Sequence, residues 1–215
     1  MSEPCPVTRR HLQYVADRTR ADDDFLVDLK AAAKAADIPS ISIGAAQASL
    51  MQIALKAARA VNVVEVGCLA GYSAIQMARA LPPNGRVRTI ELEPRHAAFA
   101  REWIAKSNVA GKVEVIQGAG VDVLKTFASD SADAAFLDAD KENYPKYLDE
   151  CLRIVKRGGL IMADNAFAFG QLFADVPDES GVHAVRRFND YMAAKPGLHG
   201  VIAPIGDGCW IAVKE

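Results

Sequence analysis

The sequence predicts an α/β fold: a mainly parallel sheet with helices on both faces, finished by an antiparallel pair. Three observations predict it. From residue 63 onward, short β-branched apolar runs alternate with segments of helical period, the order that a parallel sheet with crossover helices requires. The first run, Val63-Val64-Glu65-Val66, passes through Gly67 and Gly71 into the helical pattern of 73–81, which reads as a strand turning into a helix through a glycine turn. Near the end of the chain, apolar runs at 201–205 and 209–213 flank Gly206-Asp207-Gly208, a hairpin signal.

The 215 residues fit one domain, 1–215, with an N-terminal helical extension over about 1–60, enough to bury roughly 70% of the unfolded surface. Hydrophobic residues are 51%, charged residues 24% and the net charge -2, an ordinary globular balance that gives nucleic acid no basic face to bind. No apolar stretch approaches the ~20 residues of a membrane span, and no apolar run follows a basic start. The expectation is a cytoplasmic protein. Cys5, Cys68, Cys151 and Cys209 are scattered without a C-x-x-C pair, so they are expected to be reduced thiols and not a zinc site or a disulfide framework.

Taken in order, residues 8–20 carry Leu12, Val15 and Ala16 at helical spacing. Asp22-Asp23-Asp24 can cap a second helix, 25–36, whose face holds Phe25, Leu26 and Leu29 until Pro39 stops it. A third, 45–60, carries Leu50, Met51, Ile53 and Leu55. These helices either pack on the sheet, close over a ligand or pair two subunits. Then come strand 63–66 and helix 73–81, strand 86–92 and helix 95–107, strand 113–116 and helix 121–127, with Pro82-Pro83-Asn84-Gly85 as a turn. Strand 134–137 leads to a helix over 144–155 that Gly158-Gly159 ends, followed by strand 160–163, helix 182–194 and the hairpin.

Ligands of an open α/β sheet bind at the carboxyl ends of its strands. There the sequence places Glu65 and Gly67, then Glu91, then Gln117-Gly118-Ala119-Gly120, then Asp138-Ala139-Asp140-Lys141, then Asp164-Asn165. Glu91 lies about two dozen residues past Gly67, where a carboxylate can accept hydrogen bonds from both hydroxyls of a ribose. A nicotinamide dinucleotide would need G-x-G-x-x-G for its pyrophosphate, whereas Glu65-x-Gly67-x-x-x-Gly71 lacks the middle glycine and sets a carboxylate beside the turn. S-adenosylmethionine carries no phosphate; its ammonium and sulfonium suit Glu65 and Asp140, and its carboxylate suits Ser73 and the helix N-terminus.

Four stretches together resemble the cation-dependent O-methyltransferases, the group of caffeoyl-CoA and catechol O-methyltransferases. They are Glu65-Val66-Gly67-Cys68-Leu69-Ala70-Gly71-Tyr72-Ser73, Phe136-Leu137-Asp138-Ala139-Asp140-Lys141-Glu142-Asn143-Tyr144, Gly158-Gly159-Leu160-Ile161-Met162-Ala163-Asp164-Asn165 and Pro204-Ile205-Gly206-Asp207-Gly208. The resemblance runs from about Ile38 to the C-terminus. It implies a Rossmann-like class I methyltransferase fold with a seven-stranded, mostly parallel sheet and a reversed final hairpin, the cofactor S-adenosylmethionine, a divalent cation (Mg²⁺, with Mn²⁺ or Ca²⁺ as alternatives) and a homodimer. Position by position it implies cofactor contacts at Ile43, Glu65, Gly67, Cys68, Ser73, Glu91, Gly120 and Asp140, and metal ligands at Asp138, Asp164 and Asn165. Relatives usually read E-I-G-T-x-T-G-Y-S where this chain has Cys68 and Ala70, removing two hydroxyls, and many place a Trp after Asp-Asn where this chain reads Ala166-Phe167-Ala168-Phe169-Gly170.

The implied activity is methyl transfer to one hydroxyl of a vicinal dihydroxy aromatic small molecule. A neutral phenol is a poor nucleophile. Three hard oxygen ligands would leave a Mg²⁺ shell open to two adjacent substrate oxygens, and Lys141, three residues past Asp138, is the candidate to take the phenolic proton. Rival readings are a transfer-RNA hydroxyuridine methyltransferase, which the net charge of -2 does not favour, a non-catalytic cofactor-binding protein, and a nicotinamide dehydrogenase.

Overall fold

The computed structural model describes residues 7–178 and 180–215; Cys5 lies outside them. Three helices lead, α1 (Arg9–Ala16), α2 (Asp24–Ala35) and α3 (Ala45–Ala57). Strands and helices then alternate as β1 (Asn62–Val66), α4 (Tyr72–Ala80), β2 (Arg86–Glu91), α5 (Pro94–Lys106), β3 (Val113–Gln117), α6 (Gly120–Val123), β4 (Ala132–Leu137), α7 (Tyr144–Ile154), β5 (Val155–Ala163) and α8 (Val182–Ala194). The chain closes with β6 (Leu198–Ala203) and β7 (Cys209–Lys214). One seven-stranded sheet has the order β3-β2-β1-β4-β5-β7-β6, parallel through β5 and antiparallel at β5–β7 and β7–β6. The fold is thus the seven-stranded α/β sheet that the sequence implied.

Sequence patterning explains the layers. Both faces of β1 are buried: Val63 belongs to the apolar cluster that holds α2, α3 and α4, and Val64 and Val66 to the one that holds α7 and α8. A strand covered on both sides has no polar face to show, so it reads as a continuous apolar run. Burying a Val or Leu side chain contributes about 1.5–3 kcal/mol. Among the described residues no helix is long and apolar enough to cross a membrane, and Cys68, Cys151 and Cys209 are buried free thiols.

The structure differs from the sequence expectation at several elements. Helix α1 ends at Ala16 and buries no residue, because it lies outside the core that would have stabilised a longer amphipathic turn. Helix α6 is only Gly120–Val123, continuing as a 3₁₀ turn over Leu124–Thr126. Gly158-Gly159 does not end a helix: β5 follows α7 directly, and the glycines form a bulge where the register against β4 shifts between Ala132 and Ala134. A Cβ on Gly159 would come 2.7 Å from the Asp133 carbonyl oxygen, so the bulge requires glycine. The hairpin forms as the sequence implied, though β6 starts earlier, at Leu198; β7 inserts beside β5, and β6 is the edge.

Candidate functional site

The site begins at the turn after β1. Gly67 has φ +97, and a Cβ there would stand 1.9 Å from the Asp138 carbonyl oxygen, so the close crossing of the β1 and β4 ends excludes any side chain. Gly71, at φ +88, precedes α4, whose first turn has no side-chain cap and therefore presents free N–H groups. The turn is held from the neighbouring strand. Glu91 Oε2 accepts from the Cys68 N–H at 3.1 Å and the Leu69 N–H at 2.7 Å, and Oε1 accepts from Glu93 N–H at 2.9 Å. Glu91 was expected only to hold a ribose; here it also shapes the glycine turn, leaving part of its acceptor capacity for a ligand.

A cavity of about 380 Å³ lies over this turn, within the range of small-molecule sites. It is lined by Ile43, Gly67, Cys68, Ser73, Glu91, Gly120 and Asp140, seven of the eight expected cofactor positions, together with Ile41, Ser42, His96, Asp138 and Tyr147. The leading helices thus do more than pack: Leu26, Leu29 and Met51 join the core, while the loop before α3 walls the cavity. Asp22 ties this extension to α4, accepting from Tyr72 Oη at 2.6 Å and Lys30 Nζ at 2.7 Å. Asp140 accepts from Tyr147 Oη and from Asn143 Nδ2.

The eighth position, Glu65, does not line the cavity. It is wholly buried in β1, and neither carboxylate oxygen has a hydrogen-bond partner among the described residues. Burial pushes its pKa up to about 8, with the charges of Asp138 and Glu91 adding to the rise and the nearby Ser73 and Thr89 hydroxyls opposing it. An orphaned buried carboxyl is costly, and a cationic donor reaching it from the cavity would relieve that cost. The cradle therefore fits S-adenosylmethionine: a carboxyl for its ammonium, a helix N-terminus for its carboxylate, and Glu91 for its ribose.

Beside the cavity the ends of β4 and β5 bring Asp138, Lys141, Asp164 and Asn165 together. Lys141 Nζ donates to Asp138 Oδ1 at 3.3 Å and to Tyr144 Oη at 2.5 Å, and Tyr144 Oη donates to the Leu137 carbonyl. Burial raises the pKa of Asp138 against the opposing pull of Lys141. Asp164 is raised by burial and then by the charge of Asp138. Among the described residues no group of three or more His, Cys, Asp or Glu side chains forms a metal cluster; the set is two carboxylates and an amide. Its donors are all oxygen, the chemistry of a hard divalent cation, and a buried Asp164 with a half-buried Asp138 at neighbouring strand ends favour a cation beside them. The donor set fits such an ion.

Four contributors were not singled out from the sequence. Gln47, buried on α3, donates through Nε2 to Asp164 Oδ1 at 2.7 Å, joining the N-terminal extension to the carboxylate pair. The His96 imidazole lines the cavity with Nδ1 3.8 Å from Glu91 Oε1. Tyr144 anchors Lys141, and Asp207 holds the loop after β5. A polar residue inside a helical apolar face was the available signal for Gln47. Of the two phenylalanines of that loop, Phe167 packs under the hairpin, where a Cβ on Gly208 would lie 2.9 Å from its ring. Phe169 is 41% exposed and shares the neighbourhood of Gly181 with Lys141.

The family model described as O-methyltransferase matches residues 16–215. A catechol O-methyltransferase of Niastella koreensis is 35% identical over 205 residues, covering 94% of this chain and 90% of that protein. A catechol O-methyltransferase of Mycobacterium tuberculosis is 38% identical over 190 residues, covering 88% of this chain and 86% of that protein. Among solved structures, the O-methyltransferase from Bacillus cereus in complex with SAH superposes with a TM-score of 0.85 at 31% identity, covering 95% of this chain and 96% of that one.

Proposed function

The chain belongs to the O-methyltransferase family, and on that premise we propose that it moves the methyl group of S-adenosylmethionine to one hydroxyl of a vicinal dihydroxy aromatic small molecule, with a divalent cation. The observation that carries the proposal is the adjacency of two unlike sites. A cavity over a glycine turn, with the buried Glu65 carboxyl behind it, meets, at Asp138, an all-oxygen donor set with a lysine. The catechol O-methyltransferases among its relatives support the acceptor class.

Bound there, the donor supplies an electrophilic methyl on a sulfonium, and a cation such as Mg²⁺, Mn²⁺ or Ca²⁺ orients and acidifies two adjacent oxygens. The chain's own residues do the rest. Glu65 and Asp140 balance positive charge, Ser73 and the start of α4 receive the donor's carboxylate, and Glu91 holds the ribose. Asp138, Asp164 and Asn165 offer three oxygens, and Lys141 Nζ, once it has given up its own proton beside the cation, would take the proton of the attacking hydroxyl. With the donor held there, the attacking oxygen would take its methyl group and the sulfonium would leave as a neutral thioether, so the task of these residues is to orient the two. Orientation of this kind can lower a barrier by several kcal/mol. Pairing of two copies through the N-terminal helices is part of the proposal, since α1 buries no residue and exposes Tyr14 and Val15.

The test is an initial-rate comparison of catechol with phenol, with and without EDTA, followed by add-back of Mg²⁺, Mn²⁺ or Ca²⁺. Catechol should be methylated far faster, and only with the cation. Full activity in EDTA on a monohydroxyl acceptor would overturn the cation mechanism while leaving the methyltransferase standing.

A further inference from the structure

We infer that Asp207, in the β6–β7 hairpin loop, is a positioning residue that decides which end of the Asn165 side chain is left free for a cation. The inference rests on the cation reading above. Asn165 follows Asp164 directly and sits at φ +63, a left-handed conformation that asparagine tolerates better than most residues. Its Nδ2 donates to Asp207 Oδ2 at 3.1 Å.

The two ends of a carboxamide are nearly the same shape, and a half-turn exchanges them. Only the oxygen end can serve a hard cation. A carboxylate can only accept hydrogen bonds, so Asp207 compels the nitrogen end to face it and leaves the carbonyl oxygen as the free end. Among the described residues no other hydrogen bond to the Asn165 side chain makes that choice.

Asp207 is itself fixed. Its Oδ2 also accepts from the Phe169 N–H at 2.7 Å, and its Oδ1 from the Gly170 N–H at 2.9 Å. Its carbonyl accepts from the Phe167 N–H at 2.8 Å, and the Gly208 carbonyl from the Ala166 N–H at 2.9 Å. Gly206, at φ +59, is backed by Gln47, whose Oε1 would stand 2.5 Å from a Cβ there. Both oxygens of Asp207 are therefore committed to holding the loop after β5, which marks the residue as a support of the donor set and not a member of it. Partners that orient a ligand in this way are typically worth about 10–100-fold in metal affinity.

The experiment measures Mn²⁺ binding to the full chain by titration for the native protein, Asp207→Asn, Asn165→Asp and the double variant, with SAH affinity and circular dichroism in parallel. Asp207→Asn keeps the shape and one acceptor oxygen for Gly170; its NH₂, in the place of Oδ2, gives up the Phe169 amide and can meet the Asn165 carbonyl oxygen, so Asn165 is then free to turn. It should weaken Mn²⁺ binding about 10–100-fold and leave SAH affinity within about twofold. In the Asn165→Asp background both ends of residue 165 are oxygen, so the same change at 207 should cost nothing. Equal losses in both backgrounds, or no loss in the first, would overturn the inference. Absence of Mn²⁺ binding by the native protein would overturn the cation reading itself. A second measurement needs no change at 207. The Nδ2 protons of Asn165, identified in the native NMR spectrum by their loss in Asn165→Asp, should stay protected from exchange with and without Mg²⁺; rapid exchange in either state would overturn the inference.

Discussion

The two ends of the sheet treat their carboxylates in opposite ways. At the amino end, Asp133 accepts from the Val61 N–H at 2.9 Å and the Asn62 N–H at 2.7 Å, and pairs with Lys156 at 2.8 Å. Burial alone would raise its pKa, but Lys156 and the two amides outweigh burial and hold it below the usual carboxylate range. At the carboxyl end, burial raises Glu65, Asp138 and Asp164, and Glu65 has no hydrogen-bond partner among the described residues. One end satisfies its charge within the fold, while the other holds carboxyl groups that a cation arriving from outside would further stabilise in their charged form. Raised carboxyl groups gathered in a cleft are the usual mark of a functional site.

Breaking the carboxyl end should therefore cost activity, and breaking the amino end should cost stability. The largest effect is expected for Asp164→Ala, which should resemble cation removal by lowering the methylation rate roughly 10³-fold or more, since a charged ligand and the acidified oxygen it supports are lost together. The check is the rate with saturating Mg²⁺ beside the native rate in EDTA. Next comes Lys141→Ala, expected to slow transfer by roughly 10²–10⁴-fold while SAH affinity stays nearly intact. A rate within a few-fold of native would reduce Lys141 to a charge partner of Asp138. Glu91→Ala removes acceptors for both the ribose and the turn amides, and calorimetry should show S-adenosylmethionine binding about ten- to a hundredfold weaker. Unchanged affinity would take Glu91 out of the site.

The next test concerns pH. The Glu65 carboxyl lies near 4.5 unperturbed and about 8 in the fold, so the folded protein binds the proton more tightly than the unfolded chain. Stability from this group is fully present below about 4.5 and is lost as pH rises to about 8. The Tm of the ligand-free protein should fall across that window, and Glu65→Gln should flatten the decline; a decline of equal slope in the variant would assign it to other groups. The smallest effect belongs to the amino end, where Asp133→Asn should lose roughly 1–2 kcal/mol of stability, read by denaturant melts, with methyl transfer unchanged. A large loss of activity there would erase the contrast between the two ends.

Much of this was legible in the chain. The alternation from Val63 onward gave the parallel sheet because a doubly covered strand is built mainly of apolar residues. Seven of the eight cofactor positions read from the resemblance line one cavity, since a glycine turn and the strand ends after it are local features. Three things were not legible. The Gly158-Gly159 bulge resembles a helix stop because glycine marks both. The helix α1 is shorter than its amphipathic spacing suggests because none of its residues is buried. Gln47 and Asp207 act across the chain, on Asp164 and Asn165, and no spacing rule links residues so far apart.

By itself, then, the sequence determined the layers, the glycine turn and the kinds of side chain gathered at the strand ends, because periodicity, backbone freedom and donor chemistry are properties of short stretches. Only the tertiary structure decided which carboxylates are satisfied and which are left wanting. Glu65 and Asp133 are both acidic residues of neighbouring strands, yet one is buried with no hydrogen-bond partner among the described residues and the other meets two amides and a lysine. Burial and hydrogen-bond partners come from what the other strands, helices and loops bring alongside, and those distances exist only once the chain has closed on itself.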